Sequence, residues 1–337
     1  MKLAIAGMGP AGAYLGASMS GRADIEIYEM QTEKNFSSIC AWGTGSGGIV
    51  ELTRKVGLNF DEYILYKSKH TYIEIGKKLL KAKSDGLATF DKPRLLKDIT
   101  KGINVHYNTR VFPGYLESRS SIAIDATGVY RRLLPRLKQD LLLPTIQYKV
   151  RFNEMPYDDF FVSIFKNYGG YLWFFPLGGN TAFVGGGDMF NTHEPEVMNF
   201  IKKFRGEILP NSRKGKAIRL LPPSMATPHY YMNTIGVGES VGAVFPLVGE
   251  GILPSMLTAD MLMRTDFDRY SYSSTLKKTF KAYEDAYKFI LHKSKHVYGL
   301  IDTVIFSLGL FRYIRLNSKY IGVKAGFKEL YELFKPL

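Results

Sequence analysis

Three glycines near the start of the chain have the spacing of a phosphate-binding turn. Gly7, Gly9 and Gly12 form the pattern G-x-G-x-x-G between the strand-like stretch LAIA and a helix-like stretch that begins with Pro10 and Ala11. The first glycine permits a tight turn, the second lets the backbone approach a pyrophosphate, and the third lets the helix pack on the strand. Because a helix N-terminus also attracts phosphate, these five residues predict a dinucleotide-binding site.

A carboxylate follows at the distance that such a site requires. Glu29 lies 22 residues after Gly7, at the end of the strand-like segment IEIYE. A carboxylate in this position accepts hydrogen bonds from ribose hydroxyl groups. Glu29 does not distinguish FAD from NAD, so the identity of the dinucleotide is open at this point.

The elements that must position these residues follow an α/β order. A βαβ unit opens the chain, the glycine-rich stretch 40–50 predicts a loop, and the patterns over 91–103 and 193–209 predict helices. Aromatic-rich strands begin near Thr145 and interrupt the dinucleotide-binding domain, which resumes near residue 230. The predicted division is a discontinuous dinucleotide-binding domain (1–65, 84–142 and 230–275), a sheet-rich substrate domain (66–83 and 143–229) and a basic helical C-terminal region (276–337).

Two later stretches resemble the second and third fingerprints of the FAD-dependent hydroxylase superfamily. They are IDATG at 124–128 and IGVGESVGAVFPLVGEGI at 235–252, where glutamate replaces the usual aspartate of the Gly-Asp pair. The resemblance implies that the dinucleotide is FAD. We expect glycines that open a helix after residue 248 to aim backbone N–H groups at the flavin pyrimidine edge. The cofactor-binding residues implied here are Ala126, Gly128, Gly238, Glu239, Pro246, Gly249, Gly251 and Ile252.

The aromatic segment GYLWFFP, residues 170–176, has the alternation of a strand. Tyr171, Trp173 and Phe175 share one face, and Pro176 is expected to end the ladder. Three aromatic rings on one face form a rigid apolar wall, as a hydrocarbon substrate requires. The pattern alone is equally compatible with three core residues.

The same segment resembles the Y-x-W-x-F-P signature of the geranylgeranyl reductase family. CAWG, with Cys40 and Ala41, resembles the Cys-Gly segment that this family places beside the flavin, and DKPRLLKDI resembles its D-R-x-x-F-D-x-x-L motif, with Lys92 in place of the arginine. The resemblance covers most of residues 1–265. It implies an α/β fold with an FAD-binding Rossmann-like domain of the aromatic-hydroxylase type, an inserted antiparallel-sheet substrate domain and a helical C-terminal tail.

The activity that the resemblance implies is hydrogenation of C=C bonds in geranylgeranyl and other isoprenoid chains of lipids. Reduced flavin N5 would supply the hydride, and a proton must reach the other carbon. Cys40 is the only cysteine in the chain and is the predicted proton donor, because burial in an apolar pocket keeps a thiol neutral. Tyr171 or a flavin-bound water are alternatives, and the electrons are expected from NAD(P)H or a reduced electron-transfer protein.

Two other functions share most of these features. An FAD-dependent monooxygenase of the aromatic-hydroxylase type has the same three fingerprints. A flavoprotein that binds lipid or transfers electrons without turning over a substrate is also compatible with the Lys92 and Glu239 replacements.

The composition of the 337-residue chain narrows its location and partners. A single cysteine and a start that does not resemble a secretory segment predict a cytoplasmic protein. Of the net charge of +14, much lies in the last 61 residues, which hold 12 Lys or Arg against 5 Asp or Glu around the apolar stretch 297–311. This tail predicts either a packed helix or peripheral contact with the inner face of an anionic membrane. No nucleic-acid-binding motif and no metal-ligand spacing is present in the sequence.

Overall fold

The computed structural model describes residues 1–37, 40–166, 168–294, 300–324, 326 and 331. These residues form an α/β fold, as predicted, and its first sheet is mostly parallel. The strands of this sheet, in spatial order, are β16 (Tyr230–Tyr231), β17 (Thr234–Gly236), β9 (Ile122–Asp125), β1 (Lys2–Ala6), β2 (Asp24–Tyr28) and β8 (Asn104–His106). Only the β16–β17 hairpin in this sheet is antiparallel.

The second sheet is mostly antiparallel. Its strands, in spatial order, are β14 (Glu207–Ile208), β10 (Leu142–Arg151), β13 (Thr181–Asp188), β12 (Gly170–Gly178), β11 (Phe160–Ile164), β5 (His70–Ile75), β6 (Lys78–Ser84) and β18 (Val323–Lys324), with β15 (Lys214–Arg219) also paired to β10. Strands β5 and β11 are parallel. The sheet thus draws strands from both ranges that the sequence assigns to a substrate domain, and β18 joins it from the basic C-terminal region.

A small third sheet and the helices complete the described chain. The third sheet contains, in spatial order, β3 (Gly43–Gly45), β7 (Leu87–Phe90) and β4 (Ile64–Lys67). The helices are α1 (Pro10–Met19), α2 (Ser46–Lys55), α3 (Lys92–Ile99), α4 (His193–Lys203), α5 (Ile252–Arg264), α6 (Arg269–Thr279), α7 (Lys281–Ser294), α8 (Leu300–Leu316) and α9 (Ser318–Ile321). The described part of the C-terminal region is therefore mainly helical, as expected.

The two large sheets have separate cores. Strand β1 lies in the middle of the first sheet, where Leu3 and Ile5 are completely buried, and α1 packs between this sheet and α5. In the second sheet, Leu172 and Phe174 of β12 pack toward Phe200 of α4 in a different cluster. Because strand side chains alternate, the other side chains of β12 lie on its opposite face, away from this cluster.

Several predicted boundaries are wrong, for local reasons. Residues 43–45 form β3 and α2 begins at Ser46, because the glycines of this stretch allow close packing against α9: a Cβ on Gly45 would lie 2.5 Å from the carbonyl oxygen of Tyr320. Helix α3 ends at Ile99, before Gly102 takes a φ of +83°. Helix α4 ends at Lys203, and the chain then pairs as β14.

No helix among the described residues is long and apolar enough to cross a membrane. Residues 297–299 of the apolar stretch in the tail lie outside the described chain.

Candidate functional site

A cavity of about 590 Å³ lies at the carboxyl ends of the parallel strands. Gly7 follows β1, Glu29 follows β2, Ala126 follows β9 and Val237 follows β17, and all four residues line the cavity. After the central strand β1, the chain continues to β2 on one side of it, and β9 pairs with β1 on the other side. Ligands of open α/β sheets bind at such a point of divergence.

In the glycine turn, Gly7 and Gly12 are tightly packed, whereas Gly9 faces empty space. Gly7 has a φ of +100°, and a Cβ there would lie 2.5 Å from the carbonyl oxygen of Ala126. A Cβ on Gly12 would lie 2.1 Å from the carbonyl oxygen of Gly7. A Cβ on Gly9, in contrast, would meet no atom within 4 Å. Backbone packing therefore fixes Gly7 and Gly12, and Gly9 leaves room for a phosphate.

The positive end of α1 points into this space. Gly9 is the N-cap, Pro10 occupies the first turn, and no side chain caps the helix. Lys92, in the first turn of α3, also lines the cavity with only 6% of its surface exposed, and no described residue forms an ion pair with it. A helix end and a buried ammonium group both favour an anionic ligand, so the residues present fit a pyrophosphate.

Glu29 is held rigidly at the cavity wall. Its Oε2 atom accepts a hydrogen bond from the Met8 N–H at 3.0 Å, and its Oε1 atom accepts one from the Gln31 N–H at 2.9 Å. Only 6% of the residue is exposed. Each carboxylate oxygen keeps a further acceptor site, as binding of two ribose hydroxyl groups requires.

Glu239 lines the cavity with its carboxylate bent toward β15. Its Oε1 atom accepts a hydrogen bond from the Arg219 N–H at 2.9 Å, and its Oε2 atom lies 4.0 Å from Lys216 Nζ. Arg219 itself is 2% exposed and forms an ion pair with Asp140. Glutamate is one methylene group longer than the usual aspartate, and the bend of its carboxylate toward β15 offsets this extra length.

Cys40 lies at the side of the cavity that faces the second sheet. Its Sγ atom accepts a hydrogen bond from the Trp42 N–H at 3.4 Å, and its carbonyl oxygen accepts one from Gln147 Nε2 at 3.0 Å. Gln147 belongs to β10, so the second sheet helps to position the thiol.

The three aromatic side chains of β12 lie on the face opposite Leu172 and Phe174, and Tyr171 lines a cavity. Tyr171 donates a hydrogen bond to the carbonyl oxygen of Val248 at 2.5 Å, and its hydroxyl oxygen lies 3.5 Å from where a Cβ of Gly249 would be. Trp173 packs on Gly185, and Phe175 stacks on Phe160 at 4.5 Å between ring centroids.

Pro176 does not end the strand as expected. Strand β12 continues to Gly178 through an irregularity after Pro176. The carbonyl oxygen of Pro176 accepts a hydrogen bond from the Thr89 hydroxyl group, which joins the second sheet to the third. The irregularity lets the ladder continue beyond a residue that has no N–H to donate.

Tyr171 lines a second, smaller cavity of about 80 Å³. Its lining contains no charged side chain and consists of apolar residues, two glycines and two tyrosines. The residues are Ile75, Leu143, Ile164, Tyr168, Gly169, Gly170, Tyr171, Leu220, Pro246, Leu247, Phe289 and Ile290. Tyr171 thus stands between this apolar space and Gly249 of the larger cavity.

Most of the predicted cofactor residues line the larger cavity together. They are Gly7, Gly9, Pro10, Ala11, Glu29, Cys40, Lys92, Ala126, Gly128, Gly238, Glu239, Gly249, Gly251 and Ile252. Gly12 lies behind the turn, Ala41 is not part of the lining, and Pro246 lines the smaller cavity. The sequence analysis missed Lys216 and Ile218, which reach the cavity only because β15 pairs with β10.

Glu250 is a further residue that the sequence analysis missed. Its Oε1 atom accepts hydrogen bonds from the N–H groups of Ile252 and Leu253, at 2.9 and 3.0 Å. These two amides at the start of α5 are thus bound to a carboxylate of the protein itself, and they follow directly after Gly249 and Gly251, which were expected to open the helix toward the flavin. Burial raises the pKa of Glu250 to about 7, against the opposing effects of these two N–H groups, Lys92 and Thr44. The only sequence signal was a carboxylate between two glycines of the fingerprint.

Comparisons with known proteins were made for both sequence and structure. No protein-family model and no curated protein matches the sequence. Solved structures match over nearly the whole chain. A geranylgeranyl bacteriochlorophyll reductase-like protein from Thermoplasma acidophilum has a TM-score of 0.72 at 15% identity, covering 98% of each chain.

Two other solved structures have similar scores. A probable FAD-dependent monooxygenase from Pseudomonas aeruginosa has a TM-score of 0.64 at 12% identity, covering 91% of this chain and 99% of its own. A flavoprotein/dehydrogenase from Cytophaga hutchinsonii has a TM-score of 0.64 at 13% identity, covering 98% and 95%. The chain has the fold of the FAD-dependent oxidoreductases. The resemblance proposed from the sequence is thus confirmed at the level of the fold.

Among the described residues, no group of three or more His, Cys, Asp or Glu side chains is arranged to hold a metal ion.

Proposed function

We propose that this protein is an FAD-dependent reductase that hydrogenates C=C bonds of geranylgeranyl or other isoprenoid chains of lipids. One observation carries the proposal: Tyr171 separates the edge of a dinucleotide-sized cavity from a second cavity with no charged lining residue. A long hydrocarbon needs such an uncharged path, because every buried charge without a partner is costly. The likeness to a geranylgeranyl reductase-like fold supports the same substrate class.

The larger cavity would hold FAD through its existing polar groups. Glu29 would bind the ribose hydroxyls, the open space at Gly9 and the N-terminus of α1 would take the pyrophosphate, and Lys92 would offset its charge. FAD bound there would supply the hydride once it is reduced. The electrons would come from NAD(P)H or from a small reduced electron-transfer protein.

The second sheet would hold the prenyl chain and exclude water. Tyr171 and the apolar cavity beyond it, which at about 80 Å³ has room for only a few carbon atoms, would orient one end of the chain, and Trp173 and Phe175 would fix the position of the strand behind Tyr171. Burial, and then Glu250 and Cys40, raise the pKa of Tyr171, so its hydroxyl group stays protonated. Cys40 would hold the proton for the second carbon, with Tyr171 as the alternative donor.

Anaerobic turnover tests this function. Purified protein is reconstituted with FAD, reduced, mixed with geranylgeranyl lipid without oxygen, and followed by flavin absorbance and by product mass. We expect reoxidation and a gain of two hydrogens for each double bond. Reoxidation only by oxygen, with a hydroxylated aromatic product, would instead identify a monooxygenase. A lack of response to both would identify a lipid-binding or electron-transferring flavoprotein.

We also propose that the protein is cytoplasmic and contacts an anionic membrane through the C-terminal half of α8. Leu308 and Leu316 are 53% and 72% exposed, Arg312 and Arg315 of the same helix are exposed near them, and Lys319 is exposed in the following helix α9. Residues 308–321 include no Asp or Glu, and Asp85 is the carboxylate that contacts Ser318 at the start of α9. Apolar and basic groups on one face are the combination that binds an anionic lipid surface.

Vesicle flotation tests the membrane contact. Wild-type protein should float with vesicles of phosphatidylglycerol and not with phosphatidylcholine alone, and the Arg312→Ser, Arg315→Ser double variant should lose most of this binding. The matched control is Lys202→Ser, Lys203→Ser on α4, which removes two exposed charges from another helix. Equal binding of both double variants would show that the net charge of the protein, rather than α8, accounts for the contact.

A further inference from the structure

Glu250 occupies a position where the cofactor cavity, the helix α5 and the second sheet meet. Its neighbours in sequence, Gly249 and Gly251, both line the larger cavity. Two residues earlier, the carbonyl oxygen of Val248 accepts the hydrogen bond from Tyr171. Glu250 itself is half-buried, and its carboxyl group accepts a hydrogen bond from the N–H group of Ile252, a residue that lines the larger cavity.

The two oxygen atoms of this carboxyl group have different surroundings. Oε1 accepts from the N–H groups of Ile252 and Leu253 and from Thr44 Oγ1, at 2.9, 3.0 and 3.3 Å. None of the described residues donates a hydrogen bond to Oε2. The first oxygen is thus fixed as an acceptor, and the second is the atom that can carry a proton.

The charges and titratable groups around Glu250 come from four elements. Lys92 of α3 is the one cation among the described groups that lowers the pKa of Glu250, and the Thr44 hydroxyl of β3 acts in the same direction. The phenol groups of Tyr171 in β12 and Tyr283 in α7 both have pKa values raised by burial and, in addition, by Glu250. Burial outweighs these opposing effects and raises the pKa of Glu250 to about 7.

Resting on the proposed binding of FAD, we propose that Glu250 takes up a proton at Oε2 when reduction brings negative charge to the cofactor in the larger cavity. The two electrons come from the external reductant, a hydride donor of the nicotinamide class or dithionite in the test below. The proton comes from water, and the only bond formed on the protein is the O–H bond at Oε2. The carboxyl group becomes neutral, because a negative charge placed nearby raises the pKa of a carboxyl group.

Proton uptake at Glu250 is measurable as a pH dependence of the flavin midpoint potential. The FAD-bound wild type, Glu250→Gln and the control Glu196→Gln are titrated at equilibrium against reference dyes between pH 6 and 9. Glu196 is an exposed residue of α4 in its first turn. The slope gives the protons taken up per two electrons, and we expect fewer in Glu250→Gln than in the other two proteins, with a difference that rises from at most about half a proton at pH 7 toward one proton at pH 8.

A second variant keeps the carboxyl group and shifts its titration. Thr44→Val removes one donor to Oε1, and because hydrogen bonds to an ionised carboxylate favour it, the pH range of the extra proton uptake should move upward. A carboxyl group that only caps α5 would give the same slope in all four proteins, and that result overturns the proposal.

The apoprotein provides a readout that does not depend on catalysis. Because the pKa of Glu250 is raised in the folded state, its ionisation lowers the free energy of unfolding as pH rises from about 4.5 to about 7. Glu250→Gln should therefore gain stability relative to wild type at pH 8 and lose that advantage at pH 4.5. Equal differences at both pH values overturn the protonation of Glu250. If the protein binds FAD and shows the slope change but hydrogenates no prenyl chain, the proposed function fails and the role of Glu250 stands.

Discussion

The hydroxyl group of Tyr171 donates a hydrogen bond to the carbonyl oxygen of Val248, 2.5 Å away, and so joins the central part of the second sheet to the turn that carries Gly249. The contact joins residues that lie 77 positions apart in the chain. Tyr171 lines the apolar cavity and Gly249 lines the larger one. This hydrogen bond therefore helps to hold the two cavities in position relative to each other.

Gly9→Val should remove flavin binding and leave the fold unchanged. Gly9 has a φ of −73° and a ψ of −179°, which a valine can adopt, and its Cβ would enter empty cavity space where a pyrophosphate must approach. We expect colourless protein whose free energy of unfolding is within about 1 kcal/mol of the wild-type apoprotein. Absorbance at 450 nm and urea unfolding measure the two properties.

Gly12→Ala is the matched comparison for that variant. Its Cβ would lie 2.1 Å from the carbonyl oxygen of Gly7, so the helix must move away from the turn, at a cost of about 2 kcal/mol or more. If Gly9→Val lost as much stability as Gly12→Ala, the space beside Gly9 would not be a ligand site.

Trp173→Ala should lower activity on long prenyl chains and retain bound flavin. The indole ring packs on Gly185 and beside Tyr171, so its loss would free the strand that supports the apolar cavity, destabilising the protein by about 3 kcal/mol. Trp173→Phe is a milder variant. Since no described residue accepts a hydrogen bond from the buried indole Nε1, this change sacrifices no such bond and should preserve activity. Equal loss of flavin and activity in Trp173→Ala would contradict a role on the substrate side.

Cys40→Ala should reduce hydrogenation about 100-fold, in the range of a lost general acid, with flavin content unchanged. The thiol lines the larger cavity and its Sγ is oriented by the Trp42 N–H. Tyr171→Phe should have a smaller effect, from the loss of one hydrogen bond of about 1 kcal/mol. Single-turnover rates with reduced protein distinguish the two, and a larger loss in Tyr171→Phe would make the phenol the proton donor.

His229 should make the protein sensitive to acid. Burial lowers its pKa to about 4, so the folded protein stays neutral at this residue while the unfolded chain takes up a proton below its usual value of about 6.5. Stability should be fully present above pH 6.5 and fall by up to about 3 kcal/mol as pH decreases to 4. Urea unfolding of His229→Gln should show a shallower loss over this window, and an equal slope in both proteins would argue against a neutral buried imidazole.

The sequence predicts those parts of the site whose residue type is itself the geometric requirement. Gly7, Gly9 and Gly12 are recognisable because only glycine satisfies a close backbone approach, and Glu29 because it ends the second strand. Glu250 was not recognisable, since its environment depends on Thr44, 206 residues away in the chain. Lys216 was missed for a similar reason: its place at the cavity follows from a strand pairing and not from a local pattern.

The strand order of the first sheet brings together segments that are synthesised far apart in time. Ile5 pairs with Ile124, and Ile124 pairs with Ile235, so the glycine turn leaves the ribosome long before its neighbours in the sheet. The cavity residues between Gly238 and Ile252 are translated after the entire second-sheet segment up to β15. The N-terminal βαβ unit is therefore synthesised well before the cavity that it helps to form can be complete.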